Sequence, residues 1–213
     1  KKYKSFTRNG ANLSADKKEI LREIDKELST IKLKFGEHIL AETNAFEMHL
    51  TNMEDLKGLP EGVVEAAAQT AMQKEKEGRV FTLDYPSYVP FMTYADNREL
   101  RKKMATAFGK RGFQKNENNN EMLVLRIAKL RFQRAQLLGY ETHAHFVLEE
   151  RMSGTPQKVI AFLNEMLEKA KPVAIVEFER LAEFAKELDG INHLEKWDGS
   201  YYSEKLKQKL FSL

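Results

Sequence analysis

Apolar residues recur every three to four positions along most of this chain, a period that is typical of amphipathic helices. The clearest run follows Ser14, a residue type that caps helix N-termini well. Its apolar positions fall on one stripe, formed by Ile20, Ile24, Leu28, Ile31, Phe35 and Ile39. Because such a stripe has to be covered by another surface, the pattern predicts a long helix that packs against other helices.

Other helices are predicted by the same period, with Gly and Pro marking where each one starts or stops. The predicted segments run from near Pro60 to Gly78, from Asn97 to about Lys110, from Leu123 to Gly139, from Thr142 to Arg151, from Thr155 to about Leu188, and from near Asp198 onward. Pro172 interrupts the longest segment, which is therefore either one kinked helix or two helices.

Two short stretches have the period of a strand instead. Near 45–51, apolar residues alternate with polar ones, and the stretch 79–83 is rich in β-forming side chains. The predicted fold class is therefore mainly α: a helical array with a small two-strand β element. Because two strands alone are not stable, helices or further strands have to cover them.

Composition narrows the functional classes. The chain has 35 basic and 32 acidic residues, and this near balance argues against a nucleic-acid-binding surface. It has no cysteine, so it cannot supply a disulfide, a thiolate metal ligand or a cysteine nucleophile. No apolar run approaches the roughly 20 residues of a membrane-spanning helix, so we expect no membrane partner. We expect a cytoplasmic or periplasmic location, with a preference for the cytoplasm.

Seven sequence blocks carry a family resemblance. They read FTRNGANL at 6–13, ETNAFE at 42–47, LKGLP at 56–60, PSYVPFMTYADNRELR at 86–101, LGY at 138–140, VLEERM at 147–152, and WD at 197–198 followed by YYSEKL at 201–206. In order and spacing they resemble the thimet oligopeptidase family of zinc metallopeptidases over essentially the whole chain. Within that family, the residues of these blocks look closest to the peptidyl-dipeptidase Dcp branch.

The resemblance implies a larger, two-lobed metallopeptidase fold that hydrolyses short peptides with zinc as cofactor. It also implies an H-E-x-x-H zinc motif, which lies downstream of the region that this chain resembles. None of the five histidines here is followed by glutamate, so that motif is not in this chain. We therefore predict no catalytic and no metal-binding residue within it.

The domain prediction follows from the same resemblance. Residues 1–213 are expected to form a helical wall segment of the substrate channel, and the zinc-binding catalytic domain is expected C-terminal to Leu213. The segment alone should not hydrolyse peptides. Its expected partners are short peptide substrates and the missing catalytic half, and exposed apolar surface is expected where that half would pack.

Four residues are candidates for the channel surface. Tyr85, Tyr88 and Tyr94 combine aromatic rings with polar tips, which suit peptide contacts, although a compact loop packed onto the core is the favoured interpretation of this stretch. Arg98, together with Arg101, is a candidate for holding the terminal carboxylate of a peptide. Because both arginines lie at the charged beginning of a helix, ion pairing within the fold is the favoured interpretation for them.

Two pairs have the i, i+4 spacing that places side chains on one helix face: His145 with Glu149, and His38 with Glu42. A metal site at His145 would need further ligands, and none is identifiable nearby, so we expect a structural or surface role for both pairs.

A different class of function is kept open. The chain could be a free-standing, non-catalytic helical protein-interaction module. An encoding gene that continues beyond Leu213 with H-E-x-x-H favours the peptidase, and a stop codon near Leu213 favours the module.

Overall fold

The computed structural model describes residues 2–211. In chain order its elements are α1 (Lys2–Arg8), α2 (Ala15–Ala45), β1 (Met48–Leu50), a 3-10 helix (Met53–Leu56), α3 (Glu61–Gln73), β2 (Arg79–Phe81), α4 (Tyr85–Tyr94), α5 (Arg98–Gly109), α6 (Glu121–Leu137), α7 (His143–Leu148), α8 (Pro156–Asp189) and α9 (Gly199–Phe211). The mainly α fold class with a small two-strand element is confirmed.

The chain divides into two compact units. One comprises the residues up to His38 together with Lys115–Lys171, and the other comprises Ile39–Gln114 together with the residues from Pro172 onward. The boundaries fall within α2 and within α8, so each of these long helices contributes residues to both units.

The first unit is built on the apolar stripe of α2. Ile24 and Leu28 pack against Leu130 of α6, which is 1% exposed. Ion pairs that link α2 to α6 lie beside this core, for example between Arg126 and Glu27. Only part of the predicted stripe is covered, since Ile20 is exposed.

The second unit is built around the two strands. They pair antiparallel with Met48 opposite Phe81, and the ring of Phe81 meets that of Phe91 in α4 edge to face at 4.8 Å. All three of these side chains are fully buried, in a core to which α3, α4 and α5 also contribute. Helices thus cover the two-stranded sheet. This cover was expected, because two strands are not stable by themselves. A smaller core joins the end of α8 to α9.

The aromatic stretch 85–94 is a helix, α4, and the compact loop that was the favoured interpretation is wrong. Pro86 lies in the first turn, where its missing N–H has no helical partner to lose. Pro90 lies inside the helix and leaves the carbonyl of Pro86 without its usual i, i+4 donor, a local loss that burial of Phe91 and Met92 offsets.

Several predicted boundaries are also corrected. The helix after Pro60 ends at Gln73, and Gly78 lies in the turn that precedes β2. The helix after Thr142 ends at Leu148 rather than at Arg151. Pro172 lies inside a continuous α8, so the two-helix alternative is wrong.

Helix α1 was not predicted; it is followed by a turn at Asn9-Gly10. Within residues 2–211, no helix is both long and apolar enough to cross a bilayer.

Candidate functional site

A charged cluster in the second unit contains one of the predicted site residues, Arg98. Asn97 caps α5: its side-chain oxygen accepts hydrogen bonds from the amides of Glu99 and Leu100, and its amide group donates to Asp55 at 2.8 Å. This cap fixes where α5 begins. Arg98 and Arg101 are then three residues apart in the first turns of α5, on the same side of the helix.

Both guanidinium groups meet the same carboxylate, that of Asp198. Arg98 donates from Nε to Oδ1 at 2.9 Å and from Nη2 to Oδ2 at 2.7 Å, and Arg101 donates from Nη2 to Oδ1 at 3.3 Å. The amide of Glu195 donates to Oδ2 at 2.9 Å. Asp198 is fully buried and directly precedes α9, where the positive end of the helix dipole favours a carboxylate.

The pKa of Asp198 follows from these contacts. Burial by itself would raise it, but the hydrogen bonds from Arg98 and from the Glu195 amide outweigh burial, and the pKa is lowered. The same bidentate contact raises the pKa of Arg98. Both groups are therefore charged at neutral pH.

Arg101 is 1% exposed, and protein groups surround its guanidinium. It donates to the carbonyl oxygens of Ala95 at 2.7 Å, Asp96 at 3.1 Å and Trp197 at 3.3 Å. The ring of Tyr201 lies under it, with its centroid 3.8 Å from the guanidinium carbon. A buried charge needs this density of partners, because desolvation without them is prohibitive.

Two tyrosine hydroxyls of α9 donate hydrogen bonds to carboxylates. Tyr201 donates to Asp96 and Tyr202 donates to Asp189, each at 2.9 Å. Burial, reinforced by the bond to Asp189, raises the pKa of Tyr202 to about 12, and burial with the bond to Asp96 raises the pKa of Tyr201 further. Both are neutral donors at physiological pH and do not serve as bases.

A cavity of about 420 Å³ opens beside this cluster. It is lined by Asp96, Arg98, Arg101, Leu188, Asp189, Ile191, Tyr201, Tyr202 and Lys205. With Asp198 behind the arginines, the acidic and basic side chains around it balance in formal charge. The cluster is therefore suited to holding helices together and offers no net charge to an incoming ion.

The other predicted channel residues lie elsewhere on the second unit. The ring of Tyr88 stacks on Phe108 at 4.1 Å, and the more exposed Tyr85 meets the same ring edge to face at 6.0 Å. Burial raises the pKa of Tyr88, although the nearby Arg111 works against the shift. Tyr94, half-buried, ends α4. Of the four candidates, Arg98 lines the cavity described above, and it already has the ion pair that was favoured over a peptide contact.

The five histidines are dispersed. His38 Nδ1 lies 2.9 Å from the side-chain oxygen of Asn120, His49 contacts the carbonyl of Glu77, and His193 is largely exposed. Across residues 2–211, no group of three or more His, Asp or Glu side chains could hold a metal ion. The described residues therefore do not fit the zinc that the resemblance implies.

The two remaining histidines, with the glutamates near them, are engaged locally. His143 packs near Phe146, and burial lowers its pKa. His145 Nδ1 lies 2.8 Å from the hydroxyl of Thr142.

Glu149, the acidic member of the predicted pair with His145, has partners of its own. Glu149 accepts hydrogen bonds from Arg8 at 2.7 Å and from the Tyr140 hydroxyl at 2.6 Å. The structural role expected for this pair therefore agrees with the contacts. In the other pair, Glu42 accepts a hydrogen bond from the amide of Gly112.

Sequence reasoning missed Asp198 as the centre of the cluster. The sequence analysis used Asp198 as part of the WD block and as the approximate start of the last helix. The available signal was a lone carboxylate directly before an amphipathic helix that opens with two tyrosines.

Comparison with known proteins identifies the family to which the chain is similar. The profile of Peptidase family M3 matches residues 91–213. Oligopeptidase A of Salmonella typhimurium is 37% identical over 99% of this chain and 32% of its own length. Oligopeptidase A of Escherichia coli is 36% identical over the same shares. The dipeptidyl carboxypeptidase of Escherichia coli is 23% identical over 99% of this chain and 31% of its own length.

These identities correct one expectation, because the chain is more similar to the oligopeptidases A than to the dipeptidyl carboxypeptidase. It spans about a third of the length of the relatives it matches. The profile covers more than half of the chain, and the alignments extend over nearly all of it. The chain belongs to peptidase family M3.

Proposed function

We propose that this chain is a segment of a peptidase that hydrolyses short peptides with zinc, and that it shapes the substrate channel without carrying the catalytic groups. The observation that carries the proposal is the alignment with oligopeptidase A, which takes in 99% of this chain but 32% of that protein. The segment's partners would be short peptides and the catalytic part of the same enzyme.

The contacts of the described residues support the proposal that the catalytic groups lie outside this segment. Metal-assisted hydrolysis needs several ligands that converge on one ion and a base beside it. The histidines here contact separate neighbours, and the most buried carboxylate, Asp198, is fully committed to two arginines. The segment instead supplies a set of helices whose ends are held together by ion pairs and hydrogen bonds.

Within this function, Tyr85, Tyr88, Tyr94 and Arg98 are proposed to face the channel. Tyr85 is the strongest of them, because its side chain is 70% exposed while its ring stays oriented by Phe108. Replacing Tyr85 by Ala in the whole enzyme should raise KM for peptides and leave kcat nearly unchanged, since the contact is made equally in ground and transition states. The same substitution at Tyr3, also highly exposed but in the other unit, serves as the control.

The proposed function is tested with two proteins: residues 1–213 and the complete product of the encoding gene. Both are assayed with an internally quenched short peptide, with and without a zinc chelator. We expect chelator-sensitive hydrolysis by the complete product and a buffer-level rate for residues 1–213. Stoichiometric zinc and chelator-sensitive cleavage in the 213-residue protein would contradict the proposal, as would a reading frame without H-E-x-x-H.

A further inference from the structure

The part of α8 that belongs to the first unit has an uncovered apolar stripe. Every residue from 160 to 171 is exposed, on all sides of the helix. The exposed residues include Ile160, Leu163, Met166 and Leu167, of which Leu163 is 53% and Leu167 57% accessible. Their spacing of three and four puts them on one side of the helix; we call these four residues the α8 stripe.

The side of this segment away from the α8 stripe is mostly polar, although the exposed Phe162 lies at its edge. Glu165 and Lys169 form an i, i+4 ion pair at 2.5 Å, and both side chains are well exposed. The segment is thus amphipathic in sequence while nothing covers its apolar side. An amphipathic helix of this kind owes most of its stability to packing of the apolar side, so an uncovered stripe indicates a missing partner surface.

The last turns of α8, in the second unit, show how the same helix behaves where a partner is present. Phe184 and Ala185 are buried, at 7% and 0% exposure, against Tyr201 and Tyr202 of α9. Only these last turns of α8 are covered by another helix, since Val173, Ile175, Val176 and Phe178 of the same unit are also exposed.

We infer that the α8 stripe is the surface on which the remaining part of the peptidase packs, through an apolar helix face of its own. The stripe lies within the region that matches the M3 profile, and the relatives that align with nearly all of this chain are about three times its length. In such a protein the partner surface lies in the same polypeptide. The inference rests on the proposed function, because it requires a peptidase of that length.

Cysteine accessibility tests the inference, because the chain has no cysteine of its own. Leu163→Cys and Leu167→Cys place thiols on the α8 stripe, and Glu165→Cys places one on the polar side of the same turns. Each variant is made in residues 1–213 and in the complete gene product, and the rate of reaction with a maleimide is measured. Any cysteines of the complete product outside this segment are replaced by serine.

In residues 1–213, all three thiols should react at similar rates, since all three positions are exposed. In the complete product, the two stripe thiols should react at about one tenth of that rate or below, because labelling must wait for local opening of the packed surface. The Glu165→Cys thiol should react at the same rate in both proteins.

Other outcomes separate the inference from the function it rests on. If the complete product hydrolyses peptides but its stripe thiols stay as reactive as the control, the inference is overturned and the proposed function stands. If no longer product exists, both fail. If the stripe is protected in residues 1–213 in a concentration-dependent way, and sedimentation shows a dimer, a second copy of this chain is the occupant and the inference is overturned.

Discussion

Replacing Asp198 by Asn isolates the contribution of one buried carboxylate. The change keeps the size of the side chain but removes the negative charge that two guanidinium groups share. Arg101, 1% exposed, is left as a buried cation without its counter-charge. Breaking a buried pair in this way typically costs about 3–5 kcal/mol, because the surviving charge is uncompensated. Arg98 is partly solvated and retains water as a partner, which favours the lower end, about 3 kcal/mol.

Urea unfolding followed by tryptophan fluorescence measures this cost. Trp197 is the single tryptophan of the chain and adjoins Asp198 in sequence, so its emission reports on the second unit. With a typical m-value of about 2 kcal/mol/M, a loss of about 3 kcal/mol lowers the urea midpoint by about 1.5 M at neutral pH. Helix content by circular dichroism should fall at the same midpoint if the unit unfolds cooperatively.

The matched control is Glu187→Gln, the same acid-to-amide change in the same unit. Glu187 is largely exposed and pairs with Lys209 at 3.7 Å, so its midpoint should not move measurably. An Asp198→Asn protein that unfolds at the wild-type midpoint would refute the idea that this carboxylate compensates Arg101. Equal losses from both variants would show a general charge effect instead.

The pH dependence gives an independent check with a definite sign. The folded pKa of Asp198 is lowered from its ordinary value of 3.8, so the stability it contributes is complete above that value and is lost as the pH falls further. The difference in midpoint between wild type and Asp198→Asn should be constant from neutral pH down to about 5 and should shrink below about 4. A difference that grows on acidification would contradict this linkage.

Two further comparisons test the packing of each unit. Gly58→Ala should destabilise the second unit by at least about 2 kcal/mol, because φ is +82° there and an added Cβ would overlap the carbonyl oxygen of Tyr94. Gly139→Ala, at φ +86° but in open space, should cost only about 1 kcal/mol of backbone strain. Because Gly139 lies in the first unit, its urea unfolding is followed by circular dichroism. In the first unit, Leu28→Ala should cost about 2–5 kcal/mol in unfolding followed by circular dichroism, whereas Leu33→Ala, 65% exposed, should be nearly neutral.

Periodicity predicted the fold well where burial is one-sided. The helix after Ser14 begins at Ala15, and the stretches near 45–51 and 79–83 contain the two strands. The pattern failed where local and tertiary signals disagree. Pro86 and Pro90 made the 85–94 stretch read as irregular, whereas burial of neighbouring side chains keeps it helical.

The candidate site was harder to predict, because its parts are far apart in sequence. Arg98 and Asp198 are separated by 100 residues, and no local pattern states that they meet. Ion pairing was the favoured prediction for Arg98 and is confirmed, but the sequence did not identify Asp198 as its partner. The third member, Arg101, was considered for the same reason and proves to be more deeply buried.

The burial of Arg101 explains how the cluster contributes to the proposed channel without binding anything. Two of its three carbonyl partners, those of Ala95 and Asp96, directly follow α4, where carbonyl groups lack helical donors and the helix dipole favours a cation. Its carboxylate partner directly precedes α9, and Arg101 itself is part of α5. One planar guanidinium therefore ties three helix ends together, a task that the three-fold ammonium of lysine could not reproduce in the same geometry. Because α4 carries the aromatic candidates, including the exposed Tyr85, losing the ion cluster should also displace those rings from the proposed channel surface.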